Sequence, residues 1–286
     1  MRIFYKILKK TGSLLLKLSG NLNNNNKSVK IRSGRERDLY KTNQNLLFWL
    51  DKEKYIDQCI INDGVFESKL TQIVSHLIKE GDIVLDIGAN IGYYSVSFSK
   101  LVGKNGKVIC FEPTQYYSRI LKMNLEINGI SNAEIIKYGL SNKKQELEIF
   151  IGNSTASLHN PGNLLNETKE GIKLTTLNDF IKDNPLQRID LIKVDIDGHE
   201  PLFFEGAWNV LNKYDPIIVL EVSHLHYFNA GFTAWDFYKL LKERGYNIYH
   251  EDKLTKINSL EEFLIKCGNF AFSSNIIISK KDLKTG

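Results

Sequence analysis

Five short apolar runs, most of them followed by a segment of helical period, limit this chain more than any other feature of its sequence. They are Ile83–Ile87, Lys107–Phe111, Ala133–Tyr138, Asp190–Val194 and Pro216–Val222. Runs rich in Val, Ile and Leu without polar alternation suit strands buried on both faces, which in practice are parallel strands covered by helices. Helical periods begin near Gly92, Thr114, Glu200 and Thr233. With right-handed crossovers, this pattern predicts a doubly wound, mostly parallel α/β sheet of Rossmann-like class. Ligands of such sheets bind beyond the carboxyl ends of the strands, so the first place to look for chemistry is Asp86–Gly92.

The other segments are appended to that frame. "SKLTQIVSHLIKEG" puts Leu70, Ile73, Val74, Leu77 and Ile78 on one helical face and is expected to stop at Gly81. Leu147–Gly152 and Gly171–Leu177 read as an added strand pair around a polar loop. "YNIYHED" and "NIIISKK" read as a final hairpin-like pair at one sheet edge. The expected organisation is an extension over residues 1–41, a catalytic domain over 42–280 and a tail over 281–286.

The net charge of +5 is unevenly placed. Residues 1–41 carry 11 Lys/Arg and 2 Asp/Glu, or +9; the other 27 basic and 31 acidic residues give −4. The basic excess therefore belongs to the extension, and no nucleic-acid groove is expected on the main domain. In "MRIFYKILKKTGSLLLKLSG" the apolar and basic residues occupy opposite arcs of a helical wheel. Such a helix either docks on its own domain or lies on an anionic membrane surface through residues 1–20. "NLNNNN" (Asn21–Asn26) reads as a linker. There is no apolar run of transmembrane length and no signal-peptide pattern, so the expected location is cytoplasmic, with the inner membrane surface left open. Cys59, Cys110 and Cys267 are widely spaced, with no zinc-ligand spacing, and Cys110 lies in an apolar run that fits a buried thiol in a reducing compartment. The oligomeric state is not legible.

The loop "DIGANIG" supplies Gly88 for a tight turn and Gly92 for a helix starting close to its strand. A dinucleotide fingerprint needs G-x-G-x-x-G, but Asn90 occupies the second glycine position and Tyr93 the residue after Gly92. No G-K-[ST] follows, which excludes a Walker loop. The second strand ends in Glu112-Pro113, placing a carboxylate where ribose hydroxyls are read; the alternative is an acid at a helix start. An acid, a Gly-x-x-x-Gly turn and a second acid, without pyrophosphate chemistry, suit a nucleoside with a short charged tail. S-adenosylmethionine fits, with Asp86 near its ammonium end.

"GDIVLDIGANIGYYSV", "FEPTQ", "NLEING", "GLSN", "LNDF", "LIKVDIDGHE" and "IIVLEV" follow one another in an order that resembles the FkbM family of class I S-adenosylmethionine-dependent methyltransferases. The resemblance runs from about Leu46 to Ser279. It implies a seven-stranded sheet with one antiparallel strand, and O-methylation of a hydroxyl on a glycan, glycolipid or natural product. Carried over by motif, Asp86, Gly88, Asn90 and Gly92 line the methionine part of the cofactor and Glu112 the ribose, with Ala89, Pro113 and Leu140 completing the set. "GLSN" departs from the family, with Asn142 where Asp is usual, so no adenine contact is assigned to that side chain. A catalytically silent binding scaffold and a nicotinamide oxidoreductase are the alternatives.

"LIKVDIDGHE" brings Asp195, Asp197, His199 and Glu200 to the end of another strand, a density of polar groups that belongs at a site. Asp195 and Glu200 are expected to position the acceptor hydroxyl, with Asp197 and His199 contacting the acceptor. "PIIVLEVSHLHY" places Glu221, His224 and His226 alongside, and His224 or Glu221 is expected to take the proton. Ser157, in the polar loop "GNSTASLHNPGN", is expected to face the acceptor, a solvated hairpin being the alternative. No metal is assigned, although a divalent ion on these carboxylates stays open.

Overall fold

The computed structural model describes residues 27–152, 156–157, 168–268 and 273–283. The amphipathic segment and the Asn-rich linker read from the sequence therefore lie outside the described residues. The chain divides into two compact units, Met1–Phe66 and Glu67–Gly286.

In the first unit β1 (Val29–Arg32), β2 (Asp38–Lys41) and β3 (Leu47–Leu50) form an antiparallel meander, followed by α1 (Tyr55–Asp63). Phe48, Leu50 and Ile60 are buried. The buried Asp57 carboxylate accepts from the Arg37 guanidinium and, at 2.7 Å, from the Asp51 N–H. Burial raises the pKa of Asp57, and the Arg37 charge opposes that.

The second unit opens with α2 (Ser68–Leu77), which ends at Ile78 in extended conformation, three residues before the expected stop at Gly81. The chain then runs through β4 (Ile83–Ile87), α3 (Tyr93–Val102), β5 (Lys107–Phe111), α4 (Gln115–Ile127) and β6 (Ala133–Ile136). An inserted stretch follows, comprising β7 (Gly139–Leu140), β8 (Gln145–Ile151), β9 (Ala156–Ser157), β10 (Thr168–Thr175) and α5 (Leu177–Asp183). The main sheet resumes with β11 (Leu191–Val194), α6 (Glu200–Glu205), α7 (Trp208–Tyr214) and β12 (Ile217–Val222). The end of the chain adds α8 (His224–Asn229), α9 (Ala234–Glu243), β13 (Asn247–His250), β14 (Thr255–Ile257), α10 (Leu260–Cys267) and β15 (Ser274–Ser279).

The main sheet has the order β14-β13-β15-β12-β11-β4-β5-β6. Strands β4, β5, β6, β11 and β12 are parallel, and β15 runs antiparallel to both β12 and β13. This is the seven-stranded class I arrangement with its one reversed strand, extended by the three-residue β14. The expected terminal pair, "YNIYHED" with "NIIISKK", does form, but β15 inserts between β12 and β13, and β14 takes the edge. The run expected to continue to Tyr138 leaves the main sheet after Ile136, because Gly139 and Leu140 pair with β10 instead. The expected added strands are β8 and β10, antiparallel members of a second sheet of order β7-β10-β8-β9.

Strand alternation sorts the main sheet into two faces. Leu85, Ile87, Ile109, Phe111, Ile192, Val194, Ile218 and Leu220 pack with Phe203, Phe204 and Phe237 in one buried cluster. Asp86 and Lys193, register partners on β4 and β11, share the opposite face, where Lys193 lies 4.7 Å over the Tyr94 ring of α3. Side-chain caps fix several helix starts, among them Thr114 for α4, Thr176 for α5, Ser223 for α8 and Thr233 for α9. Strand order reverses between β4 and β11, and this switch point is where a doubly wound sheet opens a crevice.

Candidate functional site

The turn after β4 is built from backbone that side chains disfavour. Gly88, Asn90 and Gly92 have φ of 83°, 52° and 86°. A Cβ on Gly88 would lie 1.9 Å from the Asp195 carbonyl oxygen, and one on Gly92 would lie 2.4 Å from Leu121 Cδ1. The first glycine therefore lets the turns after β4 and β11 touch, and the second lets α3 start against α4. The N–H groups of Gly88 and Ala89 both donate to the Phe111 carbonyl at 3.0 Å. The Asn90 N–H donates to Glu112 Oε2 at 2.9 Å, while Glu112 Oε1 accepts from the Thr114 N–H at 3.0 Å and its hydroxyl at 2.6 Å. Burial raises the Glu112 pKa, and these hydrogen bonds hold it back.

At the switch point lies a cleft lined by residues of the turns after β4 and β11. Gly88, Asn90, Glu112, Pro113 and Leu140 line one part of it, and Asp195, Asp197 and His199 another. Ile149, Ile172 and Leu174 of the inserted sheet add an apolar wall. These residues fit S-adenosylmethionine. The apolar wall suits a purine, the Glu112 carboxylate suits a ribose diol, and the turn at Gly88–Asn90 suits the amino-acid end. Tyr93, where a dinucleotide loop needs glycine, is buried.

Several expected residues stand elsewhere. Asp86 does not line the cleft; it is 1% exposed beneath the turn, with Oδ2 accepting from the Ser95 hydroxyl at 2.5 Å and Lys193 across the sheet. Ala89 and Gly92 shape the turn without lining the cleft. Glu200 is also 1% exposed and braces the neighbouring turn: Oε1 accepts from the Ile196 N–H at 2.9 Å. Its pKa is pushed up to about 8, by burial first and then by Asp195 and Asp197. The backbone of Ser157 pairs with Phe150, and its side chain lies outside the described residues.

The turn after β11 is the second half of the site. Asp195 Oδ2 is 2.9 Å from Lys193 Nζ. Asp197, with φ of 52°, has its pKa pushed up to about 7 by burial and by the adjacent Asp195 charge. The His199 Nε2 is 3.2 Å from the Ser141 hydroxyl. The expected base His224 is not part of this group; it opens α8, bonds the backbone at Cys267, and has its pKa lowered by burial. His226 takes that place, with Nδ1 3.7 Å from Asp197 Oδ1. A Cβ on Gly198 would lie 2.8 Å from the His226 backbone, so only glycine lets α8 approach this closely. Glu221 lies with Asp197 and His226, and burial, Asp195 and Asp197 raise its pKa well above the usual value.

Lys193, which the sequence reading passed over, lies behind the site and pairs with its Asp195. It is 3% exposed, and Asp195, Asp86 and Glu67 raise its pKa against the effect of burial. A lysine inside the apolar strand "LIKV" was the available signal.

The family described as "Methyltransferase FkbM domain" matches residues 86–248, more than half of the chain. The hexuronic acid methyltransferase AglP of Haloferax volcanii is 25% identical over 210 residues, covering 72% of this chain and 78% of its own. The methyltransferase sdnD of Sordaria araneosa is 28% identical over 206 residues, covering 60% of this chain and 76% of its own. The 2-O-methyltransferase NoeI of Sinorhizobium fredii is 26% identical over 158 residues, covering 50% of this chain and 64% of its own.

Proposed function

The chain belongs to the FkbM family of S-adenosylmethionine-dependent methyltransferases, and from that premise we propose that it methylates a hydroxyl of a glycan, glycolipid or natural product. The observation that carries this reading is one cleft with two chemically distinct parts: Gly88, Asn90 and Glu112 on one, Asp195, Asp197 and His199 on the other. The printed activities of AglP and NoeI, on a hexuronic acid and at a 2-O position, support a sugar acceptor.

S-adenosylmethionine supplies a methyl group on a positively charged sulfur, and the residues of this chain do the rest. In this reading Glu112 holds the ribose, and the turn at Gly88–Asn90 holds the amino-acid end. Asp195 and Asp197 receive the acceptor hydroxyl. As oxygen bonds to the methyl carbon and the carbon–sulfur bond breaks, the hydroxyl proton leaves. The carboxylates of the Asp195–Asp197 turn, which line the cleft, are placed to accept it. Carboxylates also stabilise the cationic ground state, so their electrostatic effect alone gives no acceleration, and holding the hydroxyl in line with the methyl carbon is their larger contribution.

The test is transfer of isotope-labelled methyl from S-adenosylmethionine to a panel of neutral oligosaccharides, uronic-acid oligosaccharides and hydroxylated natural products. Label that withstands mild alkali marks an ether and supports the hydroxyl reading. Alkali-labile label marks a methyl ester and moves the acceptor to a carboxylate. Contact of residues 1–20 with anionic lipid belongs to the same reading, since their basic and apolar arcs suit a membrane interface.

A further inference from the structure

We propose that Asp197, Glu221 and His226 form a binding site for a divalent cation of the manganese and magnesium class, placed to hold the oxygens of the acceptor. The inference deepens the hydroxyl-transfer reading and rests on it for the acceptor, but not for the metal.

The three residues come from separate elements: the turn after β11, the strand β12 and the first turn of α8. One ligand atom from each lies within 4.8 Å of the other two, the set found among the described residues. A cation with bonds of about 2.1 Å holds its ligand atoms about 3–4.2 Å apart, so small side-chain adjustments close the site. The backbone is made for this approach: Gly198 lets α8 sit against the Asp197 turn.

Charge points the same way. Lys193 Nζ pairs with Asp195, has Asp86 and Glu67 as further acidic neighbours, and acts on Asp197 only through its field. Among the described residues no Lys or Arg forms an ion pair with Asp197, Glu200 or Glu221, and Asp197's ion-pair contact is with His226. A second observation comes from Glu200, which is 1% exposed and whose Oε2 has no hydrogen-bond partner among the described residues. It lies within electrostatic reach of both Asp197 and Glu221. One buried and two half-buried carboxylates gathered this closely, with a Ser273 hydrogen bond to Glu221, favour a positive partner. A divalent ion on three of the groups, with Glu200 as an acid behind them, supplies it.

Two carboxylates and one imidazole favour manganese over an all-oxygen magnesium site, and three protein ligands leave positions open for two neighbouring oxygens of a sugar. Asp197 also lines the cleft, so the ion would stand at its wall.

The experiment is titration of chelator-treated full-length protein with Mn²⁺ alone, followed by calorimetry and electron spin resonance. The expected result is one saturable site, with nitrogen coupling from an imidazole in the spin-echo spectrum. Glu221→Gln and His226→Ala should each weaken it on the order of tenfold or more. The nitrogen coupling should vanish in His226→Ala, while S-adenosylhomocysteine still binds both variants and reports an intact fold. Absence of stoichiometric Mn²⁺ binding, or binding that both variants retain, would overturn the proposal. No acceptor is needed, so this outcome is separate from success or failure of methyl transfer to a hydroxyl.

Discussion

Replacing Lys193 by Met tests whether the cation buried in the sheet is what keeps Asp86 ionised. Lys193 is 3% exposed and 2.9 Å from Asp195 Oδ2, and its register partner on β4 is Asp86. Methionine keeps most of the aliphatic stem, so the expected loss is electrostatic rather than a cavity. The Asp195 side chain retains 34% exposure, and water covers much of what it loses. Asp86 is 1% exposed, and its one escape is to bind a proton. Holding a carboxylate of ordinary pKa near 3.9 as its acid at pH 7 costs about 1.4 kcal/mol per unit, about 4 kcal/mol in all. That sum agrees with the roughly 3–5 kcal/mol lost when one partner of a buried ion pair is removed. The pH dependence has a definite sign. Burial already raises the Asp86 pKa, and Lys193 opposes the rise. Without Lys193 the folded-state pKa stands further above the unfolded one. The folded variant then keeps a proton that the unfolded chain releases, and its stability falls as pH climbs from about 4 towards that raised folded pKa. Because the parent's Asp86 pKa is itself raised, urea denaturation followed by circular dichroism should show a gap to the parent of at most about 4 kcal/mol at pH 7 that shrinks to below about 1.5 kcal/mol at pH 5. A gap below about 1 kcal/mol at pH 7, or one equal at both pH values, would refute the reasoning, since Asp86 would then be neutral in the parent protein.

Gly88→Ala should weaken S-adenosylhomocysteine binding by at least about tenfold, because the added Cβ meets the Asp195 carbonyl at 1.9 Å and the φ of 83° adds strain; unchanged calorimetric affinity would contradict the tight contact between the two turns. His224→Ala should leave turnover within about threefold of the parent while His226→Ala, which removes the imidazole beside Asp197, lowers it by at least about tenfold, measured with an acceptor found by the labelling assay; the reverse order would restore His224 to the site. Deleting residues 1–26 should release the protein from anionic vesicles, with the attachment itself weakening at high salt and cofactor affinity unaltered. Co-sedimentation that survives the deletion would place any lipid contact elsewhere.

The cofactor half of the cleft was legible because its determinants are local. A glycine turn after an apolar strand and an acid at the end of the next strand are read within 27 residues, Asp86 to Glu112. The acceptor half depended on where a strand gives way to a helix. The sequence brings Glu221, His224 and His226 near the cluster but does not say which histidine faces it, and the histidine expected to act as base is His224. In the structure Ser223 accepts from the His226 N–H and starts α8; in a helix His224 and His226 point in different directions, and it is His226 that meets Asp197. Asp86 and Glu200 were named as site residues on type and position, yet only burial separates a carboxylate under a turn from one in the cleft. Lys193 escaped because its meaning needs register: it becomes a counter-charge only when β4 and β11 are paired. The strand β14 has three residues and no pattern long enough to read.

The contact between Gly88 and the Asp195 carbonyl has a consequence for how the two ligands affect each other. The turns that carry the two halves of the cleft touch through backbone, with no side chain between them to absorb a shift. A ligand that moves the Asp195–Gly198 turn must move the Gly88 turn as well. Binding linkage makes that effect mutual: whatever factor the acceptor adds to cofactor affinity, the cofactor adds to acceptor affinity. The two associations should therefore be cooperative, and the spent cofactor should leave at a rate that depends on whether the methylated product is still in place.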